Sequence, residues 1–347
     1  MQTISPEELS TFVARIFHNV GTAQETADFV ADSLVKSNLA GHDSHGVIRT
    51  EMYTQMITTR NLITPNAEPT VARSHGVVTM VDAQRSFGQV SARYAISIAI
   101  DKAKEQGVAM TGLYNCNHIG RVGEWVEMAA AQNMIGLAFC NGGSAGGLVA
   151  PHGGAERRLG TDPIAAAFPI ADMPPVVIDF ATSALAEGKL RVARNKGVPV
   201  PDGVVLDSEG TPSTDPNDFY KKGMLRPVGG HKGYALGLMM EFLGGALTGA
   251  GCTPFAWFTP VNGVLFMVLD INAFRPLDEF LADGKQLVEH VKNTKPMAGF
   301  DEVLVPGEPE RRTAAERQKN GIPLDDNTWA QIVAVADTVS NPGSSVS

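Results

Sequence analysis

The chain has 347 residues, of which 44% are hydrophobic and 19% are charged, so it can bury a large core and has the composition of an ordinary globular protein. Its formal net charge is −9 without any basic run, which disfavours nucleic acid as a partner. Three cysteines without close pairing argue against a disulfide framework or thiolate metal cluster, and no stretch predicts a membrane span or signal peptide, so we expect a cytoplasmic protein.

The first 75 residues predict a helical region. Ser5 caps the first helix, with proline at the first helical position and glutamate at the third, and apolar residues then mark one face up to Val20. Thr22 with Glu25 repeats the capping pattern and predicts a second helix that runs toward Gly41.

A dense polar segment follows at residues 41–49, bounded at its start by glycine. Groups that transfer protons or bind anions are concentrated there: His42, Asp43, Ser44, His45 and Arg49. Their density predicts an active site where the helix ends and side chains can converge on a bound molecule. A histidine-rich helix C-terminus closed by glycine is the structural alternative.

From residue 76 the pattern becomes mixed, and it predicts an α/β core over residues 76–285. Strands are predicted at 77–81, 108–114, 135–139, 164–170, 176–180 and 264–269, and helices at 90–104, 122–131 and 234–247. Residues 286–347 predict a C-terminal helical region that packs back on the N-terminal region and ends in a disordered serine-rich tail.

Three further segments carry candidate chemistry. His118, in segment 115–121 at a predicted strand-to-helix junction, is a candidate general acid or base, although a lone histidine is also a common structural hydrogen-bonding group. The glycine-rich segment 141–147 is compatible with close approach to a diphosphate or nicotinamide, or with a simple turn. Segment 230–234 opens the late helix and fits either a phosphate or carboxylate site or a surface N-cap loop.

No GxGxxG or GxxxxGK[ST] pattern occurs, so a standard Rossmann fingerprint or P-loop is not supported. Seven short motifs instead follow one another in a fixed order: Asp43–Gly46 with Arg49, Asn117–Gly120, Leu159–Pro163, Asp179–Ser183, Thr214–Pro216, His231–Tyr234 and Pro306–Glu308. In this order they resemble the malate/L-lactate dehydrogenase family, the sulfolactate dehydrogenase-like oxidoreductases, over about residues 5–335.

The resemblance implies a mixed α/β fold that is not a Rossmann fold, with a largely antiparallel central sheet and surrounding helices. It also implies a homodimer with its sites near the subunit interface and an extended cofactor, NAD or NADP, with NADH favoured. The implied activity is hydride transfer between this cofactor and a small-molecule 2-oxo or 2-hydroxy acid, with an aromatic or medium-sized 2-oxo acid as the first expectation.

Matching the family motifs residue by residue also implies roles. His118 corresponds to the proton donor and acceptor, His45 and Ser44 line the catalytic site beside the nicotinamide, and Arg49 holds the substrate carboxylate. Cofactor contacts are implied for a larger set: His45, Gly120, Arg121, Asp179, Phe180, Ala181, Thr182, Ser183, His231, Lys232, Gly233 and Asn272.

Two departures from the family pattern leave the substrate size and the choice of dinucleotide open. Asp162 stands where the family has asparagine, and segment 141–147 lacks side chains that some relatives carry there. One alternative activity is NAD(P)H-dependent reduction of a cyclic imino acid. Another is a metal-dependent hydrolase built on His42, Asp43, His45 and His118, although no HExxH is present, and a third is a noncatalytic oligomeric binding protein.

Overall fold

The structure is a computed structural model that describes residues 2–142, 146–255 and 262–340. The predicted C-terminal tail and the centre of the glycine-rich segment lie outside these ranges. None of the helices within them is long and apolar enough to cross a membrane.

The described strands, in chain order, are β1 (Gln2–Ile4), β2 (Thr70–His75), β3 (Val78–Asp82), β4 (Val108–Cys116), β5 (Met134–Gly142), β6 (Ile164–Ile170), β7 (Met173–Phe180), β8 (Val205–Leu206), β9 (Pro212–Ser213), β10 (Met224–Leu225), β11 (Asn262–Asp270) and β12 (Ile322–Leu324). The α-helices are α1 (Pro6–Asn19), α2 (Gln24–Leu39), α3 (Arg49–Thr58), α4 (Gly88–Gln106), α5 (Gly123–Ala130), α6 (Glu187–Lys196), α7 (Pro216–Tyr220), α8 (His231–Met240), α9 (Leu277–Lys292), α10 (Glu308–Asn320) and α11 (Asp326–Ser340).

The two predicted helix starts have different outcomes. Ser5 caps α1 as predicted, because its hydroxyl accepts the amide of Glu8 at 3.2 Å and donates to the Glu8 carboxylate at 2.7 Å. The capping prediction for α2 is wrong: its N-cap is Ala23, whose amide donates to Oδ1 of Asn66 at 2.8 Å. Thr22 is buried instead, and its hydroxyl has no hydrogen-bond partner among the described residues.

A seven-stranded central sheet has the order β2-β3-β4-β11-β5-β6-β7. Strands β3 and β4 pair parallel, and all the other neighbouring strands of this sheet pair antiparallel. The predicted mixed fold with a largely antiparallel sheet is therefore confirmed. Successive side chains along β5 and β11 point to opposite faces of the sheet, as the two-residue period of a strand requires. Phe266 belongs to the core under α4 and α5, whereas Leu265 packs with Met240 on the other face.

The N-terminal helices form a second core joined to the C-terminal segment. Helix α1 contacts α2 and α11, and β1 pairs antiparallel with β12. Leu9, Phe17, Leu34 and Ile332 are fully or almost fully buried in this cluster. The first and last described segments are therefore parts of one packed layer.

The predicted late helix starts at His231 rather than at 234, and its second half is wound differently. It runs as an α-helix to Met240 and then as a wider π-helical segment, Glu241–Ala246. Gly244 and Gly245 allow this segment to lie against the backbone and side chain of Asn141, where any Cβ would come within 2.7 Å. The altered winding thus brings this segment directly onto strand β5.

Candidate active site

One edge of the central sheet collects the loops that carry most of the predicted site. The register pairs Asn262, the first residue of β11, with Cys116, the last residue of β4, and with Gly142, the last residue of β5. Ile164, at the start of β6, pairs with Phe180, at the end of β7. Segments 117–121, 160–163 and 181–183 therefore adjoin the central sheet at the same end of its strands.

His118 follows β4 and is held by a tyrosine from the N-terminal layer. Its Nδ1 lies 2.7 Å from the hydroxyl of Tyr53 on α3, and that hydroxyl also lies 3.3 Å from the carbonyl oxygen of His118. The Nε2 amide of Gln89 donates to the same hydroxyl at 3.0 Å. With Nδ1 engaged in this way, Nε2 is the ring nitrogen left for a substrate.

The Tyr53 hydroxyl can satisfy both protonation states of His118. It donates to Nδ1 when the neutral imidazole carries its hydrogen on Nε2. When Nδ1 carries a hydrogen, in the charged imidazole or in the other neutral tautomer, the hydroxyl accepts from Nδ1 and turns its own hydrogen toward the His118 carbonyl oxygen. Burial raises the pKa of Tyr53 to about 12, so the hydroxyl keeps its proton in either arrangement.

The charge state of His118 depends on its surroundings. Burial, with a further contribution from the positive charge of Arg49, lowers the pKa of His118 to about 3. The imidazole is therefore neutral in the unliganded protein. A carboxylate bound to Arg49 would offset that positive charge and make protonation of His118 easier.

His45 lies next to His118 with the two rings nearly parallel. Their centroids are 5.4 Å apart with an interplanar angle of 18°, and Nδ1 of His45 lies 2.9 Å from the Ser44 hydroxyl. Burial holds the pKa of His45 well below its usual range, and the neighbouring His118 lowers it further. Two neutral imidazoles can share this buried place without repulsion.

A single 3₁₀ turn, Asp43–His45, carries this serine and histidine between α2 and α3. The Asp43 carboxylate accepts from Arg317 on α10 at 2.6 and 3.1 Å, and from Nδ2 of Asn38 at 2.7 Å. Asp43 therefore fixes the turn rather than facing a ligand. Its partner Arg317 is 274 residues away in the sequence.

Arg49 is the first residue of α3, and its side chain is 12% exposed. Its Nε donates to the carbonyl oxygen of Ser44 at 2.7 Å, which leaves the two terminal nitrogens directed elsewhere. Nη2 lies 3.7 Å from the carboxylate of Glu187 on α6. The fixed side chain suits a carboxylate clamp beside His118.

Two adjoining cavities surround these residues. One, of about 490 Å³, is lined by Arg49, His118, Gly120 and Asn262. The other, of about 570 Å³, is lined by Ser44 and by residues from the end of β7 and the start of α6. The two cavities share the side chains or backbone of His45, Val122, Thr161, Pro163 and Ala186.

The larger cavity contains much of the predicted cofactor set: His45, Arg121, Asp179, Phe180, Ala181 and Ser183. Thr182 lies just behind it, where its amide and hydroxyl both donate to the carbonyl oxygen of Thr161. Gly233 packs against the backbone of Val228, another lining residue. His231 and Lys232 are exposed at the start of α8 and are not among the residues that line either cavity.

Asn272 does not join the other predicted residues. It lies in the turn after β11, where it bonds to Asp270, whereas the site is at the Asn262 end of that strand. Nine residues of strand separate the two ends, or roughly 27 Å at the rise of an extended chain.

The larger cavity is lined by carboxylates as well as cations. Arg121 pairs with Glu127 at 2.6 Å, and the carboxylate of Asp179 accepts the amide of Gly123 at 2.7 Å. Glu310, from α10, has a buried carboxylate oxygen without a hydrogen-bond partner among the described residues. That oxygen is an acceptor available to a ligand.

The metal-site alternative is not assembled by the described part of the chain. There, no group of three or more histidine, cysteine, aspartate or glutamate side chains is placed to hold a metal ion. Of its four proposed ligands, Asp43 is bound to Arg317 and Asn38, and Nε2 of His42 faces Glu310 at 3.6 Å.

Sequence reasoning missed several residues of this site. Tyr53 carries no local signal except its helical spacing of four from Arg49, which places both on one side of α3. Glu187 and Asn262 reach the site only through the packing of α6 and the register of β11. Their partners are distant in sequence, so no local pattern could have identified them.

Comparison with known proteins defines the class. The family model for malate/L-lactate dehydrogenase matches residues 4–333, so the chain belongs to the malate/L-lactate dehydrogenase family, whose members depend on a pyridine nucleotide. It is 38% identical over 345 residues to hydroxycarboxylate dehydrogenase B of Escherichia coli K12, covering 97% of this chain and 94% of that protein.

Two solved structures have the same fold. Malate dehydrogenase from Pyrococcus horikoshii OT3 superposes with a TM-score of 0.88 at 32% identity, over 97% of this chain and 95% of that one. Delta1-piperideine-2-carboxylate reductase from Pseudomonas syringae gives 0.84 at 30% identity, over 96% and 100% of the two chains.

Proposed function

We propose that the protein is an NAD(P)-dependent oxidoreductase that interconverts a 2-oxo acid and its 2-hydroxy acid. The observation that carries the proposal is the junction of the two cavities at His45, with His118 and Arg49 on the smaller side. The family and the names of the relatives support the same reaction class.

In this proposal the smaller cavity holds the organic acid. Arg49 binds its carboxylate through the two terminal guanidinium nitrogens, since Nε is already bonded to Ser44. Nε2 of protonated His118 donates to the oxygen of the 2-oxo group during reduction, which leaves a neutral imidazole with its hydrogen on Nδ1, facing the Tyr53 hydroxyl. During oxidation Nε2 of this neutral tautomer takes the proton back. Because Arg49 lowers the pKa of His118, binding of the carboxylate favours the protonated form that reduction needs.

The larger cavity fits the dinucleotide. When bound there, the reduced nicotinamide supplies the hydride that reduces the substrate carbon. Lys189 and Arg121 would face its diphosphate, and the unpartnered oxygen of Glu310 would accept from a ribose hydroxyl. We propose NADH over NADPH, because Glu310 and Asp179 repel an additional phosphate in a cavity whose Arg121 is already paired with Glu127.

The test is absorbance at the reduced-nicotinamide band with NADH and NADPH in parallel, against a panel of aromatic and aliphatic 2-oxo acids and cyclic imino acids. Oxidation of NADH by a 2-oxo acid supports the proposal. Absence of turnover with every panel member, together with absence of NADH binding by fluorescence, would refute it and favour a noncatalytic binding protein.

Reduction of a cyclic imino acid is the second candidate. It is favoured by the similarity to delta1-piperideine-2-carboxylate reductase at 30% identity. The same carboxylate clamp and hydride would serve, and His118 would face the substrate nitrogen. Turnover confined to the imino acids of the panel would select this candidate.

We also propose that the protein forms a homodimer. An apolar strip runs along α8 and the π-helical segment, where Met239, Phe242 and Leu247 are 36%, 66% and 63% exposed. Apolar side chains of this size are normally covered, and a second copy of the same strip is a self-complementary partner. Light scattering with Phe242→Lys tests this, since a lysine on the strip should produce a monomer.

A further inference from the structure

The smaller cavity carries more positive charge than one substrate carboxylate needs. Among its described lining residues are the guanidiniums of Arg49, Arg60, Arg157 and Arg191, and one carboxylate, that of Glu187. Burying like charges together is costly, so the position of the single carboxylate decides what the cavity can bind.

The four guanidiniums are not equivalent. Arg157 is bound internally, because its Nε donates to the carbonyl oxygen of Gly223 at 2.7 Å and Nη2 donates to that of Phe219 at 2.5 Å. Arg60 is exposed. The inner end of the cavity is therefore dominated by Arg49 and Arg191, whose side chains are 12% and 32% exposed.

Glu187 lies between these two guanidiniums. One carboxylate oxygen is 3.7 Å from Nη2 of Arg49, and the other is 3.1 Å from Nη2 of Arg191 and accepts the Tyr220 hydroxyl at 3.1 Å. The side chain is 18% exposed. The next residue, Gly188, lies so close to the 3₁₀ turn Asp43–His45 that a Cβ there would come within 2.1 Å of Cβ of Ser44, so only glycine allows α6 to start at this place.

We propose that Glu187 is a specificity-determining residue, which neutralises one of two inner guanidiniums and so restricts the site to acids with a single anionic group. This inference rests on the proposed function. A substrate with a second carboxylate or a sulfonate would meet the Glu187 carboxylate in a partly dehydrated cavity, where like charges repel strongly. The apolar walls, including Met52, Met56, Leu62 and Leu148, favour an uncharged side chain on the 2-oxo acid.

The test compares two four-carbon substrates, 2-oxobutanoate and oxaloacetate, by their kcat/KM values. Glu187→Gln keeps the shape of the side chain but removes its charge. We expect the ratio of oxaloacetate to 2-oxobutanoate to rise about tenfold or more, because Arg191 becomes available to a second carboxylate. Glu105→Gln, an exposed acid on α4, makes the same change in net charge and should leave the ratio unchanged.

A double variant identifies the second guanidinium. Glu187→Gln combined with Arg191→Gln should bring the ratio back toward its wild-type value. Arg191→Gln alone should lower the ratio, because the carboxylate of Glu187 then repels a second substrate carboxylate without the neutralising charge of Arg191. This variant keeps the proposal testable if Glu187→Gln does not fold.

The outcomes separate the two proposals. Turnover in the wild type with an unchanged ratio in Glu187→Gln and in Arg191→Gln overturns the role of Glu187 and leaves the proposed function standing. Absence of wild-type turnover with every 2-oxo acid refutes the proposed function, and the inference about Glu187 with it.

Discussion

The two adjoining cavities are built from different parts of the chain. The smaller one is formed around side chains that are held individually, such as His118 by Tyr53 and Arg49 by the carbonyl of Ser44. The larger one is formed by residues of several loops, including the loop at the end of β7, and by carboxylates such as Asp179 and Glu310. Proton transfer and carboxylate binding need buried groups with fixed positions, whereas a long dinucleotide can be recognised by many weaker contacts.

The electrostatics differ in the same way. In the smaller cavity, burial and the positive charge of Arg49 lower the pKa of His118, and burial and His118 lower that of His45. In the larger cavity, burial raises the pKa of Asp179 although Arg121 acts in the opposite direction. If this contrast is correct, substitutions in the smaller cavity should change chemistry and substrate binding while the affinity for the dinucleotide stays the same.

The largest effect is expected for His118→Ala. Removal of the proton donor should lower kcat by roughly 10²- to 10⁴-fold, the usual contribution of general acid–base catalysis. Affinity for NADH, measured by fluorescence titration, should stay near wild type because His118 lines only the smaller cavity. Near-normal turnover would instead make His45 the better candidate for the acid.

Arg49→Ala should act next most strongly, on substrate binding. A lost charge-assisted pair of roughly 1.5 to 3 kcal/mol corresponds to a rise in KM of about 10- to 150-fold. In the oxidation direction, where His118 must be neutral, the acid limb of the pH profile for kcat/KM should also move to higher pH, since Arg49 is one cause of the low pKa of His118. A KM that does not change would assign the carboxylate clamp to another residue.

Tyr53→Phe should have a smaller effect, because the tyrosine positions His118 without touching the substrate. We expect kcat to fall by about tenfold. In the oxidation direction the acid limb of the pH profile should move to lower pH, because the charged imidazole loses the hydrogen bond from Nδ1 to the Tyr53 hydroxyl. A purely structural role would lower the melting temperature without moving the pH profile. Such a result would remove Tyr53 from the proposed proton path.

The smallest effect is expected for Asp162→Asn, between Thr161 and Pro163, which both line the two cavities. Asp162 is fully buried, and both burial and Glu241 raise its pKa well above the usual range. The folded protein therefore holds the proton of Asp162 more tightly than the unfolded chain does. Its free energy of unfolding falls as the pH rises above the ordinary pKa of aspartate. The amide should therefore increase the free energy of unfolding by about 1 kcal/mol at pH 8 and by less at pH 4.

Thermal melts of wild type and Asp162→Asn at the two pH values check this. Asp172→Asn, an exposed acid in the turn between β6 and β7, serves as the matched control. An equal gain at both pH values would show that the charge of Asp162 is not the cause. A change in dinucleotide affinity would extend the role of this residue to the larger cavity.

Local sequence patterns predicted the secondary structure of the core well. Strands β4, β6 and β11 occur where alternation and apolar runs placed them, although β4 and β11 extend one or two residues beyond the predicted ends. The Ser5 cap was readable because its partners lie within one helical turn. The α2 start was misread because Asn66, 43 residues from Ala23, supplies the bond at that helix end.

The sequence by itself determined the order of the main strands and helices of the core, the density of histidine and arginine near residues 42–49 and 118, and the family motifs. Tertiary structure alone decided that Tyr53 holds His118, that Arg317 fixes Asp43, and that Glu187 lies between two arginines. The physical reason is that helices and strands depend on neighbours a few residues apart, whereas hydrogen bonds and charge pairs at the site join segments that only the folded chain brings together.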